Sequence, residues 1–177
     1  HEGRKLAIQT TKGIYSGYWA LAGYPILWSA NYTAVEDSFS QMLQYDDWCF
    51  GLLHEMGHVF NIDNSSWNWN DEMFANFRMH YALEKNNGKV YMDGRNGKQI
   101  FTGGEILDMY KIDYDNTIGT KVNDNGIHYM LARISAQITW EPYKKTFDYL
   151  RKHGSSGRTN YEKFTNFVNT LNRFAKE

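Results

Sequence analysis

The segment Gly51-Leu52-Leu53-His54-Glu55-Met56-Gly57-His58-Val59-Phe60-Asn61 limits the folds open to this chain more than any other feature. Phe50, Leu52, Leu53, Met56, Val59 and Phe60 make it apolar on most sides of a helix, so it reads as a central element. Such a helix tolerates His54, Glu55 and His58 only where they are paired or bind something. Residues four apart lie on one helix face, one turn above the other. His54 and His58 therefore point the same way, and two imidazoles so placed can ligate one Zn²⁺ at about 2.0–2.1 Å each. Glu55 is rotated around the helix, clear of the metal but within reach of water beside it. Zinc lowers the pKa of such water toward ~7, and a carboxylate can take its proton as it attacks a carbonyl.

A catalytic zinc has a third protein ligand and an open fourth position. The metzincin pattern needs Gly at 61 and His at 64. Those positions hold Asn61 and Asn64, which excludes that class. A following helix is the other source. It is expected over about Asp71 to Lys85, with Asn70 as its cap. Asp71, Glu72 and Glu84 are the acids on offer. Glu72 is preferred because Asn76 shares its face one turn on and can support a ligand. An acid at a helix N-terminus needs no metal to explain it; the histidine pair upstream favours the ligand reading. Cys49 is the only cysteine, so an internal disulfide and a cysteine-based metal site are both excluded. It lies about 140° around the helix from His54 and is a poor ligand.

The rest of the chain reads as one domain, with residues 1–45 strand-rich and 46–177 helical. Its 177 residues suffice for a hydrophobic core. Leu6-Ala7-Ile8-Gln9-Thr10 alternates as a half-buried strand does. Ala22-Gly23-Tyr24-Pro25-Ile26-Leu27-Trp28 is a short apolar strand. Its proline argues for a sheet edge, where it could border a cleft and pair with substrate. Thr33 and Glu36 form a capping box for a helix to about Leu43. Asp46 or Asp47 can cap the next helix, to about Asn61. Residues 85–104 read as a hairpin or excursion, with Asp93-Gly94-Arg95-Asn96-Gly97 a plain turn lacking the acid spacing of a calcium loop. Three helices follow, at about 127–138, 142–153 and 161–175. His80 reads as solvent-facing, and His153 as a favourable charge at a helix end.

Net charge is −1 without a basic stripe, which points away from nucleic acid. No apolar run reaches the ~18 residues of a membrane span. The opening His1-Glu2-Gly3 reads as a cut from a longer protein.

The pattern of His54, Glu55 and His58 followed by Glu72 resembles the gluzincin metallopeptidases. Within them the chain is most similar to the enhancin-like, mucin-active peptidase family (M-sixty). The likeness is carried by Ala22-Gly23-Tyr24-Pro25-Ile26, by the His-Glu-x-Gly-His form of residues 54–58, by Glu72 with Asn76, and by Thr139-Trp140-Glu141-Pro142-Tyr143. It covers about residues 20–155. A lesser likeness links Asp71-Glu72-Met73-Phe74-Ala75-Asn76 to the lethal-factor group. Residues 123–129 resemble the thermolysin-family stretch in which a histidine opening a helix stabilises the oxyanion. That likeness implies His128 as donor and Asp124 as its orienting acid; Tyr24 and Tyr129 are alternative donors.

The resemblance implies a secreted or cell-surface endopeptidase acting on mucin-type glycoproteins. The expected fold is an α+β zincin-type domain, helix-rich, with a small N-terminal sheet truncated at its start. One Zn²⁺ per chain would be held by His54, His58 and Glu72, with Glu55 as general base in a monomer. A non-catalytic glycan- or glycoprotein-binding module that keeps the zinc, or a structural zinc site, is the alternative.

Overall fold

Hydrophobic alternation builds the first sheet. The computed structural model describes residues 5–14, 17–31, 33–61, 65–92 and 100–177, with the side chains of residues 33–35 outside the description. Strands β1 (Ile8–Thr11), β2 (Ala20–Leu21) and β3 (Ile26–Ser29) form a sheet in the order β1-β3-β2. β3 runs parallel to β1, with Ile8 opposite Ile26, and antiparallel to β2, with Leu21 opposite Leu27. Ile26 and Trp28, two apart and so on one face, are both fully buried. The expected edge position is therefore wrong: β3 is the central strand. The reason is local. Pro25 precedes the strand instead of interrupting it, where its missing N–H removes no ladder bond. The first paired amide is that of Ile26, which donates to the Ala7 carbonyl at 2.9 Å.

Helix α1 spans Thr33–Tyr45; the expected capping box rests on the Thr33 side chain, outside the described residues. The chain then turns through Asp46 at φ 55° and forms a two-residue strand β4 (Trp48–Cys49) before helix α2 (Phe50–Val59). Neither Asp46 nor Asp47 caps α2, as the sequence suggested; its N-cap is Cys49, with no side-chain hydrogen bond. The extended segment is required because β4 pairs in parallel with strand β5 (Lys89–Tyr91), and β5 pairs antiparallel with β6 (Ile100–Thr102). β5 and β6 are the expected hairpin, while its turn at 93–97 lies outside the described residues. Ile26, Trp28, Cys49, Leu52 and Val59 share one core cluster, with Tyr24, Phe39 and Met56 packed against it. The first sheet thereby packs its inner face on α2.

Helix α3 (Asp71–Asn86) starts where expected, and the Asn70 side chain accepts the Met73 amide at 2.9 Å. Helix α4 (Gly103–Thr117) was not foreseen. Its signal is a capping box: the Thr102 amide donates to Glu105 at 2.9 Å and the Glu105 amide to Thr102 Oγ1 at 3.3 Å. Helices α5 (Asp124–Ile138), α6 (Glu141–His153) and α7 (Asn160–Ala175) follow. α5 begins three residues before the expected Ile127, because Asn123 caps it by accepting the Gly126 amide at 2.8 Å. The chain is thus α+β and helix-rich, with seven helices and two three-stranded sheets among the described residues. None of those helices is long and apolar enough to cross a membrane.

Contacts divide the chain into two compact units, His1–Phe60 with Phe74–Met109, and Asn61–Met73 with Tyr110–Glu177. The first holds both sheets, α1, α2 and most of α3. In the second, Trp67 is the aromatic centre. Its ring lies 5.6 Å from that of Phe147 and 6.3 Å from that of Phe167, which also packs against Trp69 and Tyr143.

Candidate metal centre

The helical spacing of four puts the His54 and His58 rings on one face of α2, with their Nε2 atoms 2.9 Å apart. Two nitrogens bound to one tetrahedral ion would stand about 3.3 Å apart, so the pair is already close to a ligand geometry. His58 is buried and His54 half-buried. Their ring planes meet nearly at right angles, at 87°. The rings thus meet edge to face and are not stacked.

The proton position on His54 follows from its other nitrogen. Nδ1 lies 2.8 Å from Asn76 Oδ1 on α3. A carboxamide oxygen only accepts, so Nδ1 carries the hydrogen and donates it. Nε2 is then left with its lone pair, the form a metal requires. Glu72 opens α3 one turn before Asn76. Ligand atoms of His54, His58 and Glu72 all lie within 4.8 Å of one another, with Glu72 exposed. Two imidazoles and one carboxylate are a donor set suited to zinc.

The competing acids are engaged elsewhere. Asp71 Oδ1 accepts from the side chains of Asn61 and Asn68, the latter at 2.7 Å. Glu84 faces His80 at 3.7 Å. Glu55 follows His54 on α2 and is half-buried; it is not in the ligand group, as its angular offset requires.

Comparison of the chain with family models, with curated proteins and with solved structures returned no match. The geometry of α2 and α3 therefore carries the functional argument.

None of the remaining candidates belongs to the ligand group. Tyr24 is half-buried in the core of the first unit, against the sheet–α2 cluster. Asp124, His128 and Tyr129 stand on α5 in the second unit. His128 occupies the second turn of α5 and does not open the helix, since the start has moved to Asp124. It is only 1% exposed, with Tyr110 edge-on at 4.8 Å. As an oxyanion donor it would have to meet substrate in a state other than this one. Burial and the Asp113 carboxylate push the Tyr110 phenol up to about 12, so it stays protonated beside that ring. Asp124 is exposed, and Tyr129 is half-buried against the Tyr114 ring at 5.4 Å. His80 is a correction. It is 3% exposed instead of facing solvent, and burial holds its pKa below the usual histidine value, against the opposing pull of Glu84.

Asn76 offers a direct check on the site. Asn76→Ala removes the acceptor that fixes the His54 tautomer. It is expected to weaken zinc binding roughly 10–100-fold, read by competition with a chromophoric chelator. Unchanged affinity would mean that the 2.8 Å bond has no bearing on the metal.

Proposed function

We propose that this chain is a zinc-dependent endopeptidase of gluzincin type. The observation that carries the reading is the convergence of His54, His58 and Glu72, with Asn76 holding the first histidine in its ligand tautomer. A zinc ion held there would supply Lewis acidity, lowering the pKa of water toward ~7 and polarising a peptide carbonyl.

The chain's own residues then have defined tasks. His54, His58 and Glu72 would hold the ion, with Glu72 on the solvent-exposed side of the group. Glu55, presented from the same helix as the histidines, accepts the proton of the attacking water. It hands that proton to the leaving amine; because water is the nucleophile, no covalent enzyme intermediate forms. The substrate class, an extracellular mucin-type glycoprotein, comes from the resemblance of residues 20–155 to the enhancin-like peptidases. Secretion or surface display of the chain is proposed on the same ground.

The experiment is metal analysis of the purified chain, with digestion of an O-glycosylated mucin-type protein and of an unglycosylated unfolded protein. One zinc per chain is expected, with cleavage abolished by a chelator and restored by added zinc. Cleavage of the glycoprotein alone would establish the glycan requirement, and cleavage of both would remove it. Zinc binding without hydrolysis of either substrate would favour the binding-module alternative. No zinc after loading would refute the reading.

A further inference from the structure

The position of Gly57 is closed by a neighbouring helix. A Cβ added there would lie 2.4 Å from the Ala75 carbonyl oxygen, 2.7 Å from its Cα and 2.8 Å from its carbonyl carbon. All three are backbone atoms, so no side-chain rotation at residue 75 makes room. The requirement is specific to this point on α2: at Gly51 the nearest atom to an added Cβ is 3.9 Å away. At Gly57, α2 and α3 touch main chain to main chain.

The contact is set symmetrically within the polar groups of both helices. Gly57 comes three residues after His54 and one before His58. Ala75 comes three residues after Glu72 and one before Asn76. On helices of 3.6 residues per turn, each contact residue lies within one turn of both polar groups of its own helix. The His54–Asn76 bond forms right beside the crossing, and Arg78 Nη1 donates to the Gly57 carbonyl at 3.2 Å as a second tie.

We infer that Gly57 is a positioning residue: its missing side chain sets how closely α3 approaches α2, and so whether Asn76 reaches His54. Glu72, one turn earlier on the same helix, is carried with it. A methyl group at 57 needs roughly 1 Å of retreat by Ala75 to reach ordinary contact. The 2.8 Å His54–Asn76 bond, lengthened by that much, is no longer a hydrogen bond. The part of this inference that concerns zinc rests on the reading above; the part that concerns His54 and Asn76 stands without it.

The test uses the full chain, as wild type, Gly57→Ala and Ala75→Gly. Two quantities are read: the His54 Nδ1–H resonance in metal-free protein by ¹⁵N-edited NMR, and zinc affinity by chelator competition. Circular dichroism confirms the fold of each variant. Gly57→Ala is expected to stay helical, lose the His54 resonance to solvent exchange, and bind zinc at least roughly tenfold more weakly. Ala75→Gly leaves the backbone contact in place and is expected to keep both within threefold. A folded Gly57→Ala with the resonance and affinity of wild type would overturn the inference. So would a tenfold loss of affinity in Ala75→Gly, which would put the constraint in the Ala75 methyl group whether or not Gly57→Ala folds. A wild type that binds no zinc refutes the zinc reading alone, because the resonance still reports whether Gly57 places Asn76 against His54.

Discussion

Glu55→Ala is expected to bind zinc as the wild type does and to hydrolyse peptide bonds roughly 10²–10⁴-fold more slowly. The separation of effects follows from the helix. His54 and His58 would face the ion from consecutive turns, whereas Glu55 is set about 100° around the axis from His54. It is not among the three residues whose ligand atoms converge, so its removal leaves the donor set complete. What is lost is the acceptor for the proton of the attacking water. That interaction matters in the transition state and not in substrate binding, so kcat falls while KM holds. Glu55→Gln should behave like the alanine variant, since an amide of the same shape cannot take the proton. Glu55→Asp keeps the carboxylate but draws it back by one methylene, and should fall between. A Glu55→Ala variant that cleaved at the wild-type rate would remove this residue from the chemistry.

What could be read from the sequence was decided by range. The four-residue spacing of His54 and His58, the Asn70 cap and the identity of the first strand all depend on neighbours a few positions away, and all appear in the structure. The pairing of His54 with Asn76 was only hinted at, because spacing along α3 says which residues share a face, not what that face meets. Errors came where one segment's conformation is set by a distant one. Trp48 and Cys49 are extended because β5 pairs with them from forty residues away, and this displaced the expected cap at Asp46 or Asp47. Pro25 looked like an edge signal, but it stands just before a strand flanked on both sides. α4 was missed although Thr102 and Glu105 carry the same box that was proposed at Thr33 and Glu36; the glycines at 103 and 104 masked it as a turn. His80 reads as solvent-facing and His128 as an oxyanion donor opening a helix, yet both are buried. Nothing local announces their burial, which arises from the packing of whole helices.

The adjacent acids Asp71 and Glu72 give the sharpest test of the site, because they should respond in opposite ways. Glu72→Ala is expected to lose zinc by more than roughly 100-fold, since removing a direct ligand costs more than removing the partner of one, and to lose hydrolysis with it. The fold should persist: Glu72 is exposed at the start of α3, and the Asn70 cap that begins the helix is untouched. Glu72→His should recover part of the binding, because a third imidazole also completes a three-ligand zinc site. Asp71→Ala should do the reverse. Its carboxylate accepts from Asn61 and Asn68, tying the loop before α3 to the helix start. Removing it leaves the amide of Asn61, 3% exposed, without that acceptor. Stability should then fall by about 1–3 kcal/mol, seen as a lower melting temperature, while zinc affinity measured well below that temperature stays near wild type. The two readouts, metal affinity and melting temperature, thus separate a ligand from a structural acid one residue away. Were Asp71→Ala to lose the zinc and Glu72→Ala to keep it, the third ligand would be Asp71. The bonds from Asn61 and Asn68 both end on Oδ1, so Oδ2 would then be the ligating atom, and zinc would tie down the loop it is here expected to leave alone.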